Sequence, residues 1–428
     1  MIFCDLHIHS RYSRATSKDL NLEKLERFAR IKGLDVLGTG DFTHPLWLEE
    51  LKKGLFEDGT GILKTKSGFR FVLQTEVSLV YYDKNKLRKV HLVVLAPDFK
   101  TVEEINRRLS RFGSLESDGR PTLSLDAVSF VSLLKDIDDK IEIIPAHIWT
   151  PWFGMLGSKS GFDSLEEAFK DKVTQIYALE TGLSSDPLMN WRLSSLDRFT
   201  LVSNSDAHSA WPWRLGREAN MIDFESGFTY DDLINAIRTG EHFIGTIEVD
   251  PSYGKYHFDG HRNCNISLSP EESKKHNNIC PVCGKPLTIG VLNRVESLAD
   301  RPEGFVPENA KVFKRLLPLM ELISHFYKIS MASKGSWNIY SRMINKFGNE
   351  FKILLDVDIK DLEPELKGFA HLIKLNREQR LEVKPGFDGV YGELILKSED
   401  ANNENTETSN EESKPKLRKN LSLKDFFN

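Results

Sequence analysis

Nothing in this 428-residue chain reads as a membrane segment or an export signal. No apolar run reaches the ~20 residues that a membrane-spanning helix needs. The opening residues, Met1-Ile2-Phe3-Cys4-Asp5-Leu6-His7, pass straight into a strand-like apolar pattern without the basic, apolar and small-residue regions of a secretory leader, so a cytoplasmic location is expected. Cysteine is scarce: of four, Cys264, Cys280 and Cys283 crowd into one short region, which argues for a metal rather than a disulfide framework, and Cys4 reads as a buried strand residue. Positive charge is not in excess either. A formal net charge of -5 argues against a protein that simply coats nucleic acid, although metal-binding carboxylates and an acidic tail would mask a local basic surface. There is no internal repeat. What remains is an ordinary globular composition, 40% hydrophobic and 28% charged, in a chain long enough for two or three folded units.

From residue 1 to about 250, short apolar runs alternate with amphipathic stretches: Val36-Leu37-Gly38, Phe69 to Leu73, Lys89 to Leu95, Ile141 to Ile144, Tyr177-Ala178-Leu179-Glu180 and Thr200-Leu201-Val202. Such alternation predicts an α/β architecture of parallel strands with helical crossovers. In a barrel of that kind, side chains just beyond the strands converge at one rim. The expected organisation is a catalytic barrel over 1–250, a small cysteine-bearing module over 251–300 and a helical C-terminal domain over 301–397. Residues 398–428 are expected to form a disordered tail, because 398–413 hold Asn, Glu, Ser and Thr with no large apolar residue.

The strongest chemical signal is Asp5-Leu6-His7-Ile8-His9. Side chains two apart on a strand share a face, so both imidazoles can reach one cation. Alone the pair is weak. It gains weight from recurrence: Thr39-Gly40-Asp41 with His44 nearby, Gln74-Thr75-Glu76, His91 within its strand, Pro145-Ala146-His147 and Ser205-Asp206-Ala207-His208. Histidines and carboxylates are the ligands that suit zinc, manganese or iron. The bland alternative, a satisfied polar residue, has to be invoked six separate times. Further along, His261-Arg262-Asn263-Cys264 and Cys280-Pro281-Val282-Cys283-Gly284 offer two half-sites of a closed, structural zinc centre. His261 has the best spacing, with His257 and His276 as weaker choices.

The order HxH, TGD, E, H, PAH, SDAH resembles the PHP phosphoesterase superfamily. That resemblance implies a distorted (β/α)7 barrel and a three-metal site. It assigns His7, His9, Glu76 and Asp206 to one metal, Glu76 as a bridge to a second held by His91 and His147, and Asp41 and His208 to a third. The chain departs from many relatives at Ser13-Arg14-Ala15-Thr16-Ser17, where they carry a histidine, so a poorer third site is expected. Closely spaced cations (Zn, Mn or Mg) would neutralise a phosphate and activate water, with no protein nucleophile required. Together with Gly254-Lys255-Tyr256-His257, the cysteine knuckle, Asn293 to Glu296, Asp300 to Gly304 and Pro385-Gly386-Phe387-Asp388-Gly389, the pattern over residues 1–397 resembles the endonuclease Q family.

This resemblance implies cleavage of DNA on the 5′ side of uracil, hypoxanthine, xanthine or an abasic site. Reading a damaged base requires taking it out of the stack into an aromatic pocket. Trp149, Trp152 and Phe153, just after His147, and Trp211 and Trp213, just after His208, are candidate walls, with Lys159, Arg192, Arg214 and Arg217 as candidate phosphate contacts. Core packing and solvated surface charge are the competing readings. Near the end of the chain, Asn420, Leu423, Phe426 and Phe427 resemble the peptide motif that docks a sliding clamp (PCNA), with Asn420 where Gln is usual. Folding of that segment back onto the protein's own surface is the alternative. Two other functions stay open at this level: a phosphatase acting on a small phosphorylated metabolite, and a noncatalytic DNA-binding adaptor.

Overall fold

A computed structural model describes residues 1–224, 227–364 and 368–395. The chain lays down β1 (Ile2–Asp5), β2 (Val36–Gly38), β3 (Leu63–Lys64), the long pair β4 (Arg70–Asp83) and β5 (Lys86–Ala96), β6 (Thr122–Leu123), β7 (Glu142–Pro145), β8 (Ala178–Glu180) and β9 (Thr200–Val202). Next come β10 (Ala219–Ile222), β11 (Phe243–Glu248), the hairpin β12 (Asp259–His261) and β13 (Ile266–Leu268), β14 (Val312–Arg315), and the hairpin β15 (Glu382–Lys384) and β16 (Glu393–Ile395). One curled sheet runs β14-β11-β10-β1-β2-β4-β5-β7, with β3 and β6 added to β4. β8 and β9 form a parallel pair beside β7. Backbone bonds tie this pair to its neighbours: Ile148 donates to the Glu180 carbonyl at 3.1 Å, and His9 donates to the Ala207 carbonyl at 3.1 Å. Seven segments thus curl around one axis, as the (β/α)7 expectation requires.

The expectation of parallel strands needs correcting at β5, which is antiparallel to both β4 and β7, and at β10, antiparallel to β1 and β11. At β5 the cause is a two-residue turn. Lys84 and Asn85 both adopt positive φ, 46° and 63°, the conformation whose twist matches a tight hairpin. Neither residue is the glycine that usually advertises such a turn.

Helices cover the sheet where local chemistry starts and stops them. The Asn21 side chain accepts from the Lys24 amide to open helix Leu22–Lys32, and Gly33, at φ 101°, closes it. Asp98 caps Phe99–Leu109, and a reciprocal Thr229/Asp232 box opens Tyr230–Thr239. The stretch expected to begin the helical unit first contributes β14 to the main sheet, parallel to β11. Helices Leu319–Tyr327, Lys334–Phe347, Glu350–Leu355 and Phe369–Arg377 follow. They are anchored to the barrel by a fully buried ion pair, Lys32 Nζ to Glu350 Oε1 at 2.6 Å. The same Glu350 also accepts from the Leu319 amide and the Tyr340 hydroxyl. The Pro385-to-Gly389 motif returns the chain to the cysteine module: Phe258 donates to the Gly386 carbonyl and the Arg262 amide to Asp388. The tail beyond Ile395, with Asn420, Leu423, Phe426 and Phe427, lies outside the described residues.

Candidate metal centre at the barrel rim

Five of the strands deliver chemistry-bearing side chains to one end of the barrel. His7 and His9 follow β1, Glu76 lies within β4, His91 within β5, and His147 and Asp206 follow β7 and β9. Potential ligand atoms of His7, His9, Glu76 and Asp206 all lie within 4.8 Å of one another. Those of Glu76, His91 and His147 do the same. The shared Glu76 joins the two groups. Its Oε2 is 3.1 Å from His9 Nε2 and 3.5 Å from His7 Nε2, while its Oε1 is 2.7 Å from His91 Nδ1 and 3.2 Å from His147 Nε2.

The outer nitrogens explain why the rings face inward. His7 Nδ1 donates to both oxygens of Glu180 at 2.9 and 3.0 Å, His9 Nδ1 to Asp41 at 3.0 Å, and His147 Nδ1 to the Thr150 hydroxyl at 3.0 Å. Each bond holds a proton on Nδ1 and turns Nε2 toward the cluster; against burial, the neighbouring carboxylates raise the pKa of all three rings, and a bound cation would take the place of the Nε2 proton. His7 Nε2 is buried and has no hydrogen-bond partner. A cation between these groups supplies what that atom lacks, and the donor set of imidazoles and carboxylates fits zinc or manganese.

Electrostatics agree. Burial alone would favour the neutral acids. At Glu76, His91, Arg120 and His7 reverse that effect, and at Asp206, His208, His9 and His7 do so, holding both carboxylates well below their ordinary range. Burial pushes His91 down to about 4 against the pull of Glu76, so it stands neutral and available as a ligand. The cluster is closed beneath and open on one side: His7, His9 and Glu76 are fully buried, whereas the Asp206 and His208 side chains are 30% and 34% exposed. An open side is what substrate and water need.

Two ligand-bearing positions, and the Asp41 that orients His9, carry strained backbone. Asp41, His147 and Asp206 have φ of 43°, 31° and 46°, a region that costs non-glycine residues roughly 1–3 kcal/mol each. Gly182 answers this strain locally, because a Cβ there would sit 2.6 Å from the Cβ of His147.

Asp41 and His208, which the resemblance implies for a third metal, lie outside these two groups. Among the described residues, no group of three or more potential ligands includes Asp41 or His208. One Asp41 oxygen accepts from His9, and the other accepts from the Ser10 amide, the Ser10 hydroxyl and the Ser13 hydroxyl at 2.6, 2.7 and 2.9 Å. Ser13 contributes to satisfying the Asp41 carboxylate, which in turn orients His9. The His208 ring packs 4.6 Å from that of His9.

Two functional positions escaped the sequence reading. Glu180 holds His7, the His147 amide at 2.8 Å and the Asn204 amide at 2.9 Å; its only signal is a carboxylate closing an apolar strand. Arg120, from the loop before β6, donates to Glu76 Oε2 at 3.0 Å, and no motif marks it.

The aromatic candidates divide. Trp149 is fully buried with its N–H bonded to Asn190 at 2.8 Å, and Trp213 is buried in a parallel stack with Trp211 at 5.4 Å, so neither offers a face to a base. Trp211 packs on Phe28 and Trp337. Trp152, 39% exposed, and Phe153, whose ring lies 4.4 Å from that of His91, remain at the mouth, with Lys159 exposed beside them. Trp152 meets Tyr256 edge-on at 5.4 Å, so the barrel and the cysteine module share this wall. Arg217 donates to the Ser205 carbonyl, Arg214 and Arg217 pull on the partly buried carboxyl of Glu321, and the Arg192 backbone carbonyl accepts from the amides of Asp300 and Arg301.

In the module, His261, Cys264, Cys280 and Cys283 bring ligand atoms within 4.8 Å of one another, with His261 Nδ1 3.4 Å from Cys283 Sγ. This is the composition of a closed tetrahedral zinc site. His257 is instead buried in the interior, its pKa lowered to about 4 by burial, and His276 caps helix Pro270–Lys275.

With the geometry in place, likeness to known proteins can be weighed. Residues 318–380 match the family model described as the MJ0043 C-terminal domain. The chain is 33% identical over 255 residues to the uncharacterized protein MJ0043 of Methanocaldococcus jannaschii, covering 59% of this chain but only 32% of that protein. To the uncharacterized protein YqxK of Bacillus subtilis it is 28% identical over 412 residues, 92% of this chain and 99% of that one. Among solved structures, the lesion-specific endonuclease PfuEndoQ from Pyrococcus furiosus superposes with a TM-score of 0.84 and 32% identity, over 94% of this chain and 97% of that one. An endonuclease Q bound to a 27-mer duplex with an abasic lesion at the active site gives 0.83 and 31%, over 94% and 98%. At that identity along nearly the whole of both chains, and with the PHP-type sheet in common, the chain belongs to the endonuclease Q family.

Proposed function

We propose that the chain is a metal-dependent DNA repair endonuclease that hydrolyses the phosphodiester on the 5′ side of uracil, hypoxanthine, xanthine or an abasic site. The observation that carries this reading is the pair of ligand groups joined through Glu76, open on the side of Asp206 and His208. Likeness to an endonuclease bound to lesion-bearing duplex supports DNA as the substrate.

In this reading His7, His9, Glu76 and Asp206 hold one divalent cation, and Glu76, His91 and His147 a second. Cations so placed lower the pKa of water and neutralise charge on the phosphate. The chain's own residues do the rest. Glu180, Asp41 and Thr150 fix the imidazole tautomers. Arg120 adds a fixed positive charge at the rim, beside the carboxylate that both groups share. Trp152, Phe153 and Tyr256 offer an aromatic wall for an extruded base, and Lys159 a phosphate contact. The cysteine module holds one zinc that fixes the module's half of that wall. The tail 420–427 docks a sliding clamp, which raises the local concentration of nuclease on DNA.

The test is a labelled duplex carrying one uracil, hypoxanthine or abasic site, incubated with manganese, magnesium or zinc, with the cut mapped. Incision directly 5′ of the lesion is expected. Cleavage at random positions, or equal cleavage of undamaged duplex, would refute the substrate assignment.

A further inference from the structure

Helices Leu22–Lys32 and Lys334–Phe347 border a cavity of about 290 Å³. Phe28, Ile31, Trp211, Trp337, Tyr340 and Ile344 line it, and the exposed side chains of Arg27 and Lys334 stand at its edge. Its walls are fixed: Trp211 stacks in parallel on Trp213 and meets Trp337 at 5.6 Å, and Phe28 packs on both Trp211 and Trp337. A preformed, aromatic, concave surface of this kind takes apolar side chains.

We propose that this groove is the intramolecular seat of the chain's own segment 421–427, with Leu423, Phe426 and Phe427 as the apolar anchors. Three observations select this occupant. Within the otherwise polar stretch 398–428, the large apolar residues fall at Leu417, Leu421, Leu423, Phe426 and Phe427. Of the two charges between the anchors, Lys424 and Asp425, the carboxylate is the one that Arg27 and Lys334 at the groove edge can pair with. The tether also reaches. β16 ends at Ile395, and Glu393 in it lies within electrostatic range of His325 on helix Leu319–Tyr327, which packs against the groove helix. Residues 396–422 would span roughly 30 Å as a coil, against a radius of gyration of roughly 21 Å for a folded body of this size.

The consequence is a choice. The anchors that fill the groove are those that a sliding clamp would take, so the two occupancies exclude each other. The groove shields the phenylalanines while the nuclease is alone and releases them to the clamp. Only the identity of the competitor rests on the clamp reading given above; self-docking stands without it.

Hydrogen exchange on the full-length protein tests this. Replacing both anchors, Phe426→Ala with Phe427→Ala, changes no residue of the described fold. Amides of the groove helix, 334–347, should exchange about tenfold faster in this variant. An excess of synthetic peptide 414–428 should restore protection to the variant and add none to the wild type. Unchanged exchange in the variant would overturn the proposal, as would protection that disappears on dilution, since that would place a second copy in the groove. Nicking of a lesion duplex without clamp should be the same in both proteins, which keeps failure of self-docking distinguishable from failure of the nuclease assignment.

Discussion

Replacing Glu180 with glutamine should weaken metal binding without unfolding the barrel, for a reason visible in its hydrogen bonds. Every neighbour of the Glu180 carboxylate donates: His7 Nδ1 at 2.9 and 3.0 Å, the His147 amide at 2.8 Å and the Asn204 side-chain amide at 2.9 Å. Glutamine has nearly the same shape, but its NH2 must face one of these donors. His7 Nδ1 is shared between both oxygens and keeps one acceptor either way, but the NH2 then opposes the Asn204 amide or the His147 amide, and the neutral group holds the ring that presents Nε2 less firmly than the carboxylate does. Changing such an orienting partner costs roughly 10- to 100-fold in metal affinity, or about 1.4–2.7 kcal/mol. The assay is calorimetric titration of metal-stripped wild type and Glu180→Gln, with single-turnover nicking in parallel. Weaker binding and nicking that recovers at high metal concentration are expected. Affinity within about twofold of wild type would refute the reasoning, since a weakened orienting partner should lower binding by far more.

Four more outcomes follow from the same structure. Asp206→Ala removes a ligand and the open edge of the site, and should abolish nicking while leaving the circular dichroism spectrum and the melting transition in place. Cys280→Ser should release one equivalent of zinc and lower the melting temperature, while metal binding at the rim persists. Glu350→Ala leaves Lys32 charged and buried without its partner and should cost roughly 3–5 kcal/mol in a urea titration. Replacing both residues with apolar ones should cost much less. Finally, burial pushes Glu248 up to about 8 despite a hydrogen bond from the Thr246 hydroxyl, with Asp186 adding to the rise and Ser203 and Thr181 opposing it. Between the ordinary glutamate pKa of about 4.3 and this value the folded state holds the extra proton, so stability should fall as pH rises, by about 1.4 kcal/mol per unit at most. Glu248→Gln should flatten that slope when unfolding is followed from pH 5 to 8.

How much of this was legible beforehand depends on residue type. Both ligand groups were, because imidazoles and acids at strand ends recur too often to be chance and have few other uses in a buried rim. The zinc set was legible from its spacing. Asp41 was legible as a candidate by its type, but its hydrogen bonds with His9, Ser10 and Ser13 are a fact of three-dimensional packing with no signature in the chain. Glu180 was passed over because an acid at the end of an apolar run normally faces water. The antiparallel course of β5 was hidden by a turn built on Lys84-Asn85 in place of glycine. Trp149 and Trp213 show the opposite error, since nearness in sequence to a ligand says nothing about which way an indole points.

The central claim is that the rim gathers two cations bridged by Glu76. Anomalous diffraction from crystals soaked in manganese or zinc, collected at the metal edge, tests it most directly. Two peaks are expected roughly 3.5–4 Å apart, one among His7, His9 and Asp206 and the other among His91 and His147, with Glu76 between them. No peak at the rim, or metal found only at the cysteine module, would contradict the account.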